Sequence, residues 1–154
     1  MKRLILLLLL TAASWAQGTF VAYHTASDTS DKVTIQQPST GAKSVQMLEA
    51  FASSTVACSA TLSQAGTAAT TTALTPAGLG QGGAALTPTA FAFSASNVGS
   101  GTTLAVYDLP ANGSVSLDLR DMAMIGNGTA KNVSLGLSCE SSGTLRIAVK
   151  WREQ

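Results

Sequence analysis

Apolar and polar side chains alternate with a period of two along much of this chain. That is the signature of strands that cover a core with one face and meet water with the other. The clearest run is 145–152, where Leu145, Ile147, Val149 and Trp151 share one parity and Arg146, Ala148, Lys150 and Arg152 the other. In 115–119, Val115, Leu117 and Leu119 alternate with Ser116 and Asp118. Val133, Leu135, Leu137 and Cys139 form a third single-parity set, and Val56, Cys58, Ala60 and Leu62 a fourth. Weaker strand signals lie at 19–24, 32–36, 45–52, 89–94 and 103–109, separated by turn-forming residues at 37–41, 96–101, 110–113 and 141–143. Asn112 and Gly113 stand between two apolar runs and predict a tight hairpin. Only 43–52 and 121–125 suit a helix, and both are short. The pattern predicts an all-β fold of about nine strands, a mostly antiparallel β-sandwich of immunoglobulin-like or jelly-roll kind.

The first residues break this pattern. Lys2 and Arg3 precede an unbroken apolar run from Leu4 to Leu10, and small residues follow, with Ser14 and Ala16 placed as a signal peptidase requires. The expectation is a secretory leader at 1–16, cut before Gln17, and a single domain at 17–154. The apolar run is far shorter than the ~20 residues of a membrane-spanning helix. No cysteine follows it to carry a lipid anchor.

Cleavage there changes the charge balance. The whole chain of 154 residues has nine basic and eight acidic residues, and loss of Lys2 and Arg3 leaves seven against eight. Such a balance offers no basic footprint for nucleic acid or an anionic membrane surface. No second hydrophobic span follows, so the expected destination is secreted or otherwise extracytoplasmic. In that oxidising setting the two cysteines, Cys58 and Cys139, are expected to form a disulfide. Both fall on the apolar parity of their own strand, as a buried bridge between strands requires. Closing so long a loop stabilises by roughly 4–5 kcal/mol in the chain-entropy model.

Candidate chemistry is sparse. His24 is the only histidine, and no G-x-S-x-G elbow accompanies it, so it reads as an exposed residue at a strand end. A histidine-based metal site is excluded by number, and no cofactor is implied. Two carboxylate pairs stand out, since glycoside hydrolysis needs two such groups. Asp28 and Asp31 lie in a polar stretch that reads as a turn, and Asp118 and Asp121 flank Arg120 at the end of a strand. Calcium is the minority reading for either pair. Glu49 stands alone on an otherwise apolar strand face. Trp151 shares the core parity, which leaves Tyr107 and Tyr23 as the speculative ligand contacts on which a sugar ring could stack.

The segment 64–87 carries no charge and no aromatic residue. Its threonine-rich half reads as an edge strand and 77–85 as a surface loop. Asn112, Asn127 and Asn132 each begin a glycosylation acceptor triplet, although the first two, followed by glycine, are also ordinary turn chemistry. In length, leader, small-residue composition and alternating C-terminal strand the chain is similar to secreted fimbrial subunits. It departs from them in its wider cysteine spacing and in ending Trp151, Arg152, Glu153, Gln154, so no mode of assembly is carried over. These features predict an exported, non-catalytic β-sandwich with a structural or surface-interaction role in an extracellular assembly. Its expected partners are another protein, a second copy or a glycan. The alternative is a carbohydrate- or other ligand-binding module, and a hydrolase using Asp118 and Asp121 ranks behind both.

Overall fold

The computed structural model describes residues 18–37, 44–65, 72–79, 88, 90–95, 101–121, 123–124 and 131–153. The leader expected at 1–16 and the triplet at Asn127 lie outside them. Among the described residues there is no helix, and ten antiparallel strands form one hydrogen-bonded sheet. They are β1 (Gly18–Gln37), β2 (Val45–Ser54), β3 (Cys58–Ala65), β4 (Thr72–Leu74), β5 (Ala77–Gly78), β6 (Phe91–Ala95), β7 (Thr102–Leu109), β8 (Gly113–Asp118), β9 (Ala123–Met124) and β10 (Lys131–Glu153).

The architecture rests on the long ribbon of β1 and β10, which pair from Gly18 with Glu153 to Gln37 with Lys131. The sequence pattern divides each of these strands in two, at the polar stretch around Asp28 and Asp31 and at Ser141 to Gly143. The structure keeps both continuous and puts a crease at those places. Asp28 pairs with Gly143 and Ser30 with Ser138, so β10 carries extra length there and the ribbon bends. The connection from β2 to β3 lies over the crease, where the Thr55 N–H donates to the Thr144 carbonyl (3.1 Å). Gly143 is required by this approach, because a Cβ there would stand 2.6 Å from Val56 Cγ2.

The crease divides the sheet into two halves. The first joins β5, the N-terminal part of β1, the C-terminal part of β10, β2, and beyond it β8 and β9. The second runs β4, β6, the remainder of β1 and of β10, β3 and β7. Phe20, Ala22, Ile147, Val149 and Trp151 of the first half belong to the same buried cluster as Val33, Ile35, Leu62, Leu135 and Leu137 of the second. Each large apolar side chain so buried contributes roughly 1.5–3 kcal/mol. The all-β, antiparallel expectation is met by one hydrogen-bonded sheet whose two halves contribute to a single buried cluster.

The disulfide forms as expected, between Cys58 and Cys139, which are register partners on adjacent strands. It binds neighbouring strands of the second half to each other. The Asn112–Gly113 turn is also tight: the Gly113 N–H donates to the Pro110 carbonyl (2.9 Å) and Asn112 adopts φ 60°. Its two strands do not pair, however. β7 joins β3 and β8 joins β2, so the turn carries the chain from the edge of one half to the edge of the other. In the segment 64–87, the expected edge strand is present as β4 on β6. Ala77 and Gly78 pair with β1 as β5, so the expected loop at 77–85 begins with a strand, and 80–87 lie outside the described residues.

Candidate functional surfaces

β7 is an edge strand whose side chains are mostly exposed. Among the described residues it pairs with β3 alone, which leaves its other edge without a neighbour. Its sequence is rich in β-formers and has no Lys, Arg, Pro or Gly; Asp108 is its single charge. Val106 is 56% exposed, Leu104 44% and Tyr107 38%. Seven large hydrophobic residues are exposed among those described, and these three fall within four consecutive positions. One natural guard is present: the register slips between Leu62 and Ser63, so Leu104 is the extra residue of a bulge, which bends that end of the edge. The stretch from Ala105 to Leu109 remains regular.

A second open surface is the outer face of the first half. Tyr23, Ala148, Phe51 and Ser116 form one row across β1, β10, β2 and β8. Tyr23 is 67% exposed and Phe51 is also exposed, with the small Ala148 between them. The next row holds Lys150, Glu49 and Asp118. Glu49 is there because Leu48 is the extra residue of a bulge opposite Lys150 and Trp151. The bulge reverses parity along β2, so Val45 and Met47 face the core while Glu49 and Phe51 face out. The apparent lone charge on an apolar face is thus an outward residue, accepting from Ser116 Oγ (3.0 Å).

Neither carboxylate pair takes the form its spacing suggested. Asp118 is exposed and bonded by Arg120 Nε (3.0 Å to each oxygen). The Arg120 side chain holds its carboxyl down at about 2, the opposite of what a general acid at neutral pH requires. Asp118 lines an open depression with Leu48, Glu49, Ser116 and Arg120, and Asp121 is not part of that lining. Among the described residues no cluster of three or more His, Cys, Asp or Glu is placed to hold a metal ion.

Asp28 and Asp31 part company at the crease. Asp28 is exposed and accepts from the Thr29 N–H (2.7 Å), as its turn-like context predicts. Asp31 is buried within β1, on the parity of Val33 and Ile35, and its Oδ2 lies 2.8 Å from His24 Nδ1. Seven residues of straight strand would span about 23 Å, so this contact requires β1 to fold back on itself. His24 is therefore a half-buried residue inside a long strand, paired across the crease, and not an exposed strand end. Burial pushes the Asp31 carboxyl up, partly offset by His24 and by the Lys32 N–H. With Ser30, Thr72 and Ser94 the pair lines an opening of about 290 Å³.

The sequence carried a signal for this pair, since His24 shares parity with Phe20 and Ala22, and Asp31 with Val33 and Ile35. A titratable side chain on an apolar face calls for a partner. Glu153 carries the same signal, on the parity of Leu145, Ile147, Val149 and Trp151. It is fully buried at the end of β10, accepting from the Ala90 N–H (2.8 Å) and from Trp151 Nε1 (3.4 Å). Asn132 is also fully buried, so its acceptor triplet is unreachable in the folded chain. Of the two speculative contacts, Tyr23 lies on the outer face of the first half and Tyr107 on the β7 edge, so the fold does not bring them into one site. No family model, curated protein or solved structure matches the chain.

Proposed function

We propose that the chain is an exported, non-catalytic β-domain with a structural or surface-interaction role in an extracellular assembly. The leader pattern at 1–16 supplies the route, and a disulfide is compatible with an oxidising destination. The observation that carries the role is β7: an open strand edge with exposed Val106 and Tyr107 and one charge. Unpaired N–H and C=O groups along such an edge are a template for another strand. The test is light scattering on the chain without residues 1–16. Oligomers that grow with concentration support the role, and strict monomers at high concentration reject it.

A second reading, binding of a glycan, is favoured by the row in which Tyr23 and Phe51 flank Ala148. Two exposed rings on one face of the sheet, beside Lys150, Glu49 and Asp118, offer stacking faces and hydrogen-bonding groups together. Glycan-array binding lost on Tyr23→Ala supports this reading, and silence across a broad array rejects it.

A further inference from the structure

We infer that the occupant of the β7 edge is the β7 strand of a second copy, paired antiparallel about a two-fold axis at Tyr107. The inference rests on the proposed interaction role of that edge and adds its partner and register. Which backbone groups of β7 are free follows from the neighbouring ladders. Cys58 and Cys139 are register partners with Cα atoms 4.0 Å apart, the close spacing of a non-hydrogen-bonded pair. The adjoining Glu140 N–H donates to the Ala57 carbonyl (3.4 Å), as that phase requires. Cys58 therefore turns its N–H and C=O towards β7. By alternation Leu109, Tyr107 and Ala105 bond to β3, while Val106 and Asp108 direct theirs to the open side.

The bulge at Leu104 and the identity of the outward residues restrict how two such edges can meet. An axis at Asp108 sets the two carboxylates directly opposite, which is repulsive. An axis at Val106 joins one outward pair, Val106 with its twin, because Asp108 then meets Leu104, the bulged residue at which the regular alternation of the strand is interrupted. An axis at Tyr107 pairs Val106 with Asp108 on both sides of the dyad. All four outward N–H and C=O sets are used, giving four interchain bonds in place of two. It also brings the two Tyr107 rings together in the close, non-hydrogen-bonded position, where aromatic pairs favour association. Such an interface is isologous and closes as a dimer. One short strand edge falls below the ~800 Å² per partner of a stable complex, so the dimer is concentration-dependent.

The experiment is cross-linking by diamide of the chain without residues 1–16, with Cys58–Cys139 verified intact by peptide mapping. Tyr107→Cys places two thiols on the axis and is expected to give a disulfide-linked dimer in much higher yield than Val106→Cys, whose twins are diagonal. Preferential linkage of Val106→Cys overturns the register. Val106→Pro removes an outward N–H without touching the β3 ladder, and is expected to weaken association at least tenfold by sedimentation equilibrium. Val106→Asp sets carboxylates opposite Asp108 and gives the same result without altering the backbone. Oligomers that persist undiminished in both variants overturn this inference and leave the interaction role standing. Absence of oligomers from the unmodified chain removes both.

Discussion

The two halves of the folded sheet use the same two long strands in different ways. In the first half β1 and β10 are one-sided: Phe20, Ala22, Val149 and Trp151 are buried, while Tyr23, Thr25 and Arg146 are exposed. In the second half they are buried on both sides. Every residue from Asp31 to Ile35 and from Asn132 to Leu137 is buried, whether polar or apolar. Thr34 and Ser134 meet there through their hydroxyls (2.7 Å) on the face opposite Val33 and Leu135. Alternation therefore reports which face is apolar. It does not report which face is dry.

The largest test of this contrast is the disulfide, which reinforces the second half alone. With its cysteines 81 positions apart, replacing Cys58 and Cys139 together by Ser is expected to cost roughly 4–5 kcal/mol in denaturant unfolding. Next come the cores. Trp151→Ala in the first half is expected to cost ~3–5 kcal/mol and Leu135→Ala in the second ~2–5 kcal/mol, both seen as a lower denaturant midpoint. Because both residues belong to one cluster, each variant is expected to unfold in a single transition. Two separated transitions would mean that the halves have separate cores.

Smaller effects sharpen the difference between the polar faces. Thr34→Val leaves the Ser134 hydroxyl buried without its partner and is expected to cost ~1–3 kcal/mol, while the double variant with Ser134→Ala recovers most of that loss. Ser116→Ala, on the exposed face of the first half, is expected to change stability by no more than ~0.5 kcal/mol. The Asp31 carboxyl is raised by burial, so the folded chain binds its proton more tightly than the unfolded chain does. Its contribution is greatest below the ordinary carboxylate value of 3.8 and is lost as pH rises through the raised one. Asp31→Asn is therefore expected to gain stability relative to the parent chain as pH rises from 3 towards neutrality.

Much of the first half was legible because its strands cover a core on one side only. The parity of Leu145, Ile147, Val149 and Trp151 gave the buried face directly; in the second half, that of Cys58 and Cys139 agreed with the bridge. Bulges limited the rest. The extra residue at Leu48 reverses parity within β2, so Glu49 looked inward on paper and faces out in the fold. At the crease, Asp28 and Ser30 carry the composition of a turn, yet the ladder resumes within two residues. Polar residues at a fold in a continuous strand and at a break between strands are written alike. The His24–Asp31 contact depends on that fold and could not be placed without it. That β7 pairs with β3 alone among the described residues depends on which strands end up beside it, a long-range outcome that its own eight residues do not encode.

The proposed pairing requires that β7 end the sheet with Val106 and Asp108 presenting free backbone groups to another copy. Residue-resolved amide hydrogen exchange tests it most directly. In dilute solution the Ala105 and Tyr107 amides, bonded to β3, are expected to be protected while those of Val106 and Asp108 exchange fast. Raising the protein concentration is expected to slow Val106 and Asp108 selectively. Equal protection of all four amides in dilute solution, or fast exchange at Val106 and Asp108 that concentration leaves unchanged, would contradict the account.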